Sequence, residues 1–196
     1  MLVLLRHGQS TLNRGGRLLG ITNPSLSDLG ASQAKLCGSL DKDAHTIISS
    51  PLSRAYQSAT FAFPNRAIST DSRWTEINYG SYEGKKLSDI PPLDLEKWMS
   101  DPDFQPPSGE SLQEVQRRVT QALDDLLELA ASETVIVVSH VTPIKAAVAV
   151  ALGVDMRISW HMRLSLSSAT TLAATGNQYS LVGFNDVSHL GDLAIT

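Results

Sequence analysis

The sequence predicts an α/β fold: a three-layer domain with a mostly parallel central sheet flanked by helices. Three observations carry this. Short apolar runs with strand character alternate along the chain with stretches of helical spacing. The run Thr134-Val-Ile-Val-Val138 is β-branched at every position, as expected of a central parallel strand covered on both faces. No repeat, low-complexity tract or linker divides the 196 residues, so one domain over 1–196 is expected.

The elements follow in order. Leu2–Leu5 is a short apolar strand that stops at Arg6-His7-Gly8, and a polar, glycine-containing loop continues through Ser25. Ser27 is placed to cap a helix over roughly residues 28–40. Thr46–Ser49 reads as a second strand, and Pro51 can start a helix that carries Arg54 and runs to about Phe63. Residues 66–70 are expected to form a third strand.

Residues 72–110 differ in kind. They hold Trp74, Tyr79, Tyr82, Trp98 and Phe104 together with Pro91-Pro92 and Pro106-Pro107. Proline pairs break regular elements, so an irregular segment with short helices is expected. Such a segment either covers a site or is a surface excursion pinned by its aromatics.

Ser111-Leu-Gln-Glu114 is a capping-box pattern. The helix that follows repeats Val115, Val119, Ala122, Leu123, Leu126 and Leu127 at helical spacing. After the strand ending near Val138, a helix is expected from about Pro143 to Leu152. Ser165–Thr175 and Tyr179–Phe184 then read as a hairpin around Gly176-Asn177.

Composition narrows the function classes. The chain is 42% hydrophobic and 18% charged, with a net charge of −4, so no broad basic surface points to nucleic acid. No apolar run approaches membrane-spanning length, and Met1–Leu5 is too short for a signal-peptide core. The single cysteine, Cys37, cannot form an internal disulfide; it is expected to be a small buried residue in a reducing compartment. A cytoplasmic protein without nucleic-acid or membrane partners is the expectation. Monomer and homodimer stay open.

In an open parallel sheet, ligands bind beyond the carboxyl ends of the strands. Three such ends carry chemistry here: Arg6-His7-Gly8, the segment from Ser49 to Arg54, and Ser139-His140. That sets two histidines and two arginines along one rim. Phosphoryl transfer needs an in-line nucleophile, positive charge around the equatorial oxygens and a proton for the leaving group. A neutral imidazole can be the nucleophile, and arginine offers a planar fork of donors for phosphate oxygens. Nearby arginines lower a histidine pKa, which favours a neutral His7; a protonated His140 would add a charged donor. No Cys/His group has zinc spacing, and Asp101-Pro-Asp103 reads as solvated loop, so no metal or other cofactor is expected. Each feature alone is ordinary, and spacing does not choose the acid among twenty carboxylates.

The residues resemble the histidine phosphatase superfamily, in its phosphoglycerate-mutase-like branch. The likeness runs through Leu5-Arg6-His7-Gly8-Gln9-Ser10 with Asn13, then Gly20-Ile-Thr22-Asn23-Pro24, and Ser49-Ser-Pro-Leu-Ser-Arg54-Ala55. It continues through Glu76-Ile-Asn-Tyr79-Gly80-Ser-Tyr82-Glu83-Gly84, Gly109-Glu110-Ser111 and Val137-Val-Ser-His140. The resemblance implies a phosphatase that hydrolyses a small phosphomonoester through a phosphohistidine. His7 would be the nucleophile. Arg6, Arg54 and His140 would hold the phosphoryl group, with Asn13 beside it. Glu76 would protonate the leaving oxygen and later activate water, and Glu83 would be structural. Thr22, Tyr82 and Val141 join Asn13 as implied phosphate- or substrate-binding residues, and Glu110 is open between pocket and support.

Departures are visible. The family usually has glycine where Val141 stands, a costly exchange if the backbone there needs positive φ. Asn23 replaces a common aspartate, and Leu12 a common tryptophan. Val138–Lys145 and Asn185–His189 resemble a subgroup of small bacterial acid phosphatases and α-ribazole phosphatase-like proteins, some fused to a ribonuclease-H-like domain. His189 is expected to be structural, and His45 and His161 have no assigned role. Two rivals stand beside the phosphatase. A cofactor-dependent phosphoglycerate mutase would use the same His7, but such mutases are usually longer and have a closing C-terminal tail. A non-enzymatic phospholigand-binding module would lack nucleophile or acid, and both are present in the pattern.

Overall fold

The computed structural model describes residues 1–13, 15–40, 44 and 46–194; His45 lies outside them. Six strands form one sheet: Leu2–Arg6 (β1), Thr46–Ser49 (β2), Ser69–Thr70 (β3), Val135–Ser139 (β4), Ala169–Thr175 (β5) and Gln178–Asp186 (β6). Their order is β3-β2-β4-β1-β5-β6. β1, β2, β3 and β4 run parallel to their neighbours in that set, and β5 and β6 add an antiparallel hairpin beside β1. The sheet is thus the mixed, mostly parallel one expected. All five residues of β4 are buried between parallel neighbours, which explains its unbroken β-branched run.

Side chains alternate between two apolar layers. Leu5, Ile47, Ile136 and Val138 join the core beneath helices Asp28–Cys37 (α1) and Ser53–Ala62 (α2). Leu2, Leu4, Val135 and Val137 join the larger core beneath Leu112–Ser132 (α4) and Val141–Leu152 (α5). The period of two along β1 and β4 builds the three layers. The capping box of α4 is present: the Ser111 hydroxyl accepts from Glu114 N–H, and the Glu114 carboxylate accepts from Ser111 N–H.

Several boundaries differ from expectation, each for a local reason. α1 ends at Cys37, not near residue 40, with Gly38 as its C-cap against the end of α2, where a Cβ would lie 2.3 Å from the Ala62 carbonyl oxygen. The third strand shrinks to Ser69–Thr70, an edge that pairs only with the end of β2. The first proline pair starts an element instead of breaking one. Pro92 opens a helix over Pro92–Ser100 (α3), where its missing N–H costs nothing. α5 starts at Val141, with Pro143 in its first turn. β5 starts at Ala169; the preceding residues form a turn in which Ser168 N–H donates to Ser165 and Ser167 takes φ 55°.

Between β3 and α4, three short 3-10 helices and α3 give the irregular segment expected for 72–110. Trp98 of α3 is its hub. Its ring meets Tyr79 at 5.7 Å and Trp160 at 5.6 Å edge-on, and Tyr82 at 6.0 Å. Among the described residues no helix is long and apolar enough to cross a membrane.

Candidate active site

The carboxyl ends of β1, β2 and β4 lie side by side and are stitched together by backbone. His7 N–H donates to the Ser139 carbonyl at 3.0 Å, and Ser50 N–H to the Val138 carbonyl at 2.9 Å. This register brings His7, Arg54 and His140 to one place. The His7 and His140 rings are 5.0 Å apart between centroids.

The hydrogen bonds of His7 define its tautomer. Nδ1 lies 2.6 Å from the Gly8 carbonyl, an acceptor, so Nδ1 carries the proton. Nε2 accepts from Arg54 Nε at 3.2 Å. The ring is held well below the usual histidine range, first by burial, then by the Arg54 and Arg6 charges. His7 is a neutral imidazole with its Nε2 lone pair facing a guanidinium.

The Arg54 guanidinium is fully buried. Its other two nitrogens donate to the Thr22 and Gly20 carbonyls, each at 2.7 Å, so the loop after β1 fixes its plane. Glu83 fixes that loop in turn, its carboxylate accepting from Gly20 N–H at 2.8 Å and Thr22 N–H at 3.1 Å. Glu83 therefore has the structural place expected of it. Ser58, one turn along α2 from Arg54, accepts from Gly8 N–H and donates to the Arg54 carbonyl, tying nucleophile loop to helix. Gly8 is required by close approach: a Cβ would sit 2.4 Å from the Gly30 carbonyl oxygen.

Arg6 donates through Nη1 to the Leu164 carbonyl, and burial lowers its pKa to about 10, so it stays charged at neutral pH. Its Nε is buried without a partner. His140 accepts or donates through Nε2 to Ser50 Oγ at 2.8 Å, while its Nδ1 is buried and unpartnered. Burial, then His7 and Arg54, hold His140 well below the usual range. Without a ligand it is neutral and lacks the charged donor that a protonated ring would add. The unpartnered donor of Arg6, a residue that lines the cavity, marks a place for an acceptor.

Glu76 is held by the start of α5. Oε1 accepts from Ile77 and Thr142 N–H at 2.9 and 3.1 Å, and Oε2 accepts from Val141 N–H at 3.1 Å. This answers the Val141 departure. Its φ is not positive, and its N–H is used as a donor, which valine supplies as well as glycine.

A cavity of about 120 Å³ opens on this group, lined by Arg6, His7, Asn13, Glu76, Tyr79 and Val141 among others. Asn13 sits at it with its side-chain oxygen accepting from Ser10 N–H and Oγ. Thr22 is exposed beside Arg54 and lines a neighbouring groove. Tyr82 does not reach the cavity: its hydroxyl donates to Asp94 at 2.7 Å and its ring packs on Trp98. The tyrosine at the cavity is Tyr79, three residues after Glu76, and burial raises its pKa. Glu110 turns to Arg118 in a two-pronged ion pair and to Asn78 N–H, and so supports the loop. Cys37 is buried with its pKa raised to about 11 by burial, and Sγ lies 3.6 Å from His189 Nε2, which contacts the Ser167 carbonyl. Both have the structural settings expected. Among the described residues no cluster of three or more His, Cys, Asp or Glu could hold a metal ion.

Comparison with known proteins agrees with this geometry. Phosphoserine phosphatase 1 of Hydrogenobacter thermophilus is 31% identical over 204 residues, covering 99% of this chain and 96% of that protein. A probable phosphoglycerate mutase, GpmB, of Erwinia tasmaniensis is 28% identical over 206 residues, covering 98% and 95%. The crystal structure of a phosphoserine phosphatase mutant from Entamoeba histolytica, in complex with phosphoserine, superposes with a TM-score of 0.90 at 26% identity, covering 96% and 98%. The model of the histidine phosphatase superfamily, branch 1, matches residues 2–187, and the chain belongs to that family.

Proposed function

We propose that this protein is a phosphoric monoester hydrolase that cleaves a small phosphomonoester through a phosphohistidine on His7. The observation that carries it is the neutral His7 ring on the cavity wall, its Nδ1 proton fixed on the Gly8 carbonyl and its Nε2 unprotonated, the lone pair held by one hydrogen bond from Arg54 Nε that an incoming phosphoryl group must displace. Nε2 attacks phosphorus in line as the bond to the leaving oxygen breaks. Arg6, Arg54 and His140 hold the equatorial oxygens, with Asn13 beside them. The buried, unpartnered Arg6 Nε supports that role for Arg6, and the 5.0 Å separation of the His7 and His140 rings supports it for His140. A dianionic phosphoryl group also favours the protonated form of His140, which burial disfavours without ligand.

Glu76 passes a proton to the leaving oxygen, then takes one from the water that attacks the phosphohistidine and releases phosphate. Oε2 is the oxygen for this task, because it accepts one backbone N–H while Oε1 accepts two. The names of the phosphatase relatives support hydrolysis. The GpmB-named relative favours a second reading, in which the phosphoryl group returns to a phosphoglycerate. In either reading, residues 1–196 act as one domain and residues 72–110 cover the substrate.

Rapid quench with labelled substrate tests the mechanism. Acid-labile, base-stable label is expected on His7, with His7→Ala folded, unlabelled and at least about 10⁴-fold slower. Label on His140, or label retained by His7→Ala, overturns the assignment. Transfer to phosphoglycerate at a rate exceeding release of inorganic phosphate would favour the mutase.

A further inference from the structure

A second cavity, of about 260 Å³, adjoins the first and shares Leu18, Tyr79 and Val141 with it. Its remaining walls include Ile77, Leu87, Trp98 and Trp160, which are apolar, and Lys145 of α5. A half-buried cation in such a place is unusual, because burying an ammonium is costly, and the carboxylate that offsets this, Glu76, lines the neighbouring cavity and not this one. Lys145 is half-buried, and it donates from Nζ only to the Ser159 carbonyl at 2.8 Å among the described contacts. An ammonium has three donors. Two further donors belong to the same walls: Nε1 of Trp98 and Nε1 of Trp160 are both buried without a partner. Apolar and aromatic walls, one half-buried ammonium with donors to spare and no carboxylate among the lining residues describe a receptor for an organic anion.

Resting on the phosphatase reading, we propose that this cavity is the leaving-group subsite, and that Lys145 selects phosphate esters whose alcohol part has an apolar or aromatic body and a carboxylate. The shared wall of Leu18, Tyr79 and Val141 places the ester bond at the junction of the two cavities. The body lies along Trp98 and Trp160, and the carboxylate receives Lys145. Lys145 is thus a specificity residue: it touches the alcohol part and takes no share in breaking the P–O bond.

The test uses an aryl phosphate with a para-linked propanoate and its carboxamide, which match in size and in phenol acidity. Wild-type kcat/KM is expected to favour the acid by about tenfold or more, the usual worth of a hydrogen bond to a charged group. Lys145→Gln, which keeps a donor for the Ser159 carbonyl, should bring the ratio near one. A second measurement needs no variant: the dephosphorylated acid should inhibit wild type at least about tenfold more strongly than its amide. Equal turnover of acid and amide by wild type, or an unchanged preference in Lys145→Gln, overturns the subsite while leaving the phosphatase standing. No turnover of either substrate and no phosphoenzyme would overturn the phosphatase reading itself.

Discussion

The strand-end rim and the aromatic segment over residues 72–110 face each other across the cavities and are built on different principles. The rim is polar and buried: His7, Ser49, Ser50, Arg54, Ser139 and His140 are all inside, the strand-end residues positioned by backbone bonds between neighbouring strands and Arg54 by the carbonyls of the loop after β1. The segment has backbone bonds at its turns but centres on side chains, with Tyr79, Tyr82 and Trp160 around Trp98. Strand backbones fix atoms tightly, which suits phosphoryl transfer. Aromatic packing tolerates exchange, which suits recognition of a variable leaving group. Under the proposed function, rim substitutions should cost rate on every substrate, and segment substitutions should cost selectively.

Glu76 is the residue that breaks the division. It belongs to the segment by sequence but is bound to Val141 and Thr142 at the rim. Glu76→Gln should lose about 10²–10⁴-fold in phosphorylation rate on alkyl phosphates and far less on activated aryl phosphates, whose leaving group needs no proton. Single-turnover kinetics separate this step from dephosphorylation. An equal loss on both substrates would make Glu76 a positioning group.

Glu83 is the next lever. Glu83→Ala strands two backbone N–H groups and loosens the carbonyls that hold Arg54. A fall of about tenfold to a hundredfold in kcat/KM is expected on all substrates, with about 1–3 kcal/mol of stability lost in urea melts. Selective loss on one substrate would place Glu83 with the recognition segment.

Acid should weaken the rim first. His7 and His140 are held below the ordinary value, so between their folded pKa and about 6.5 the unfolded chain binds protons that the folded chain does not. Stability therefore falls as pH drops below about 6.5. Melting temperature measured from pH 7 to 5 should decline, and His140→Asn should flatten the decline by about half. An unchanged slope in that variant would show that other groups govern acid sensitivity.

The smallest effect belongs to the segment. Tyr82→Phe removes one hydrogen bond, to Asp94. It should cost about 0.5–1.5 kcal/mol in denaturant melts and leave kcat/KM within about twofold, because the hydroxyl does not reach the cavity. A large drop in kcat/KM would return Tyr82 to the substrate side.

The same contrast explains what the sequence could tell. The rim residues sit at strand ends, and strand periodicity with the position of His7, Arg54 and His140 carries them to one edge. Glu76 came only from family resemblance, since nothing local shows that its carboxylate meets the start of α5. The choice between Tyr79 and Tyr82 depends on a 3-10 turn at Gly80, where φ is 53° and a Cβ would strike the Pro107 carbonyl. Which ring faces inward is thus set by a contact between residues far apart in the chain. Lys145 reads as the one charged residue of a largely apolar helix, and only the packing of α5 against Met156–His161 gives it a cavity.

The pairing of β1 also bears on how the molecule is made. Leu2–Arg6 is synthesised well before both strands that flank it, Val135–Ser139 and Ala169–Thr175. Until they emerge, the first strand has no partners in the sheet and its five mostly apolar residues must wait exposed or be shielded by a chaperone. Closing so long a loop makes this a late and comparatively slow step. His7, directly after that strand, is therefore among the last groups to reach working geometry, so a chain translated short of those strands is expected to carry no activity.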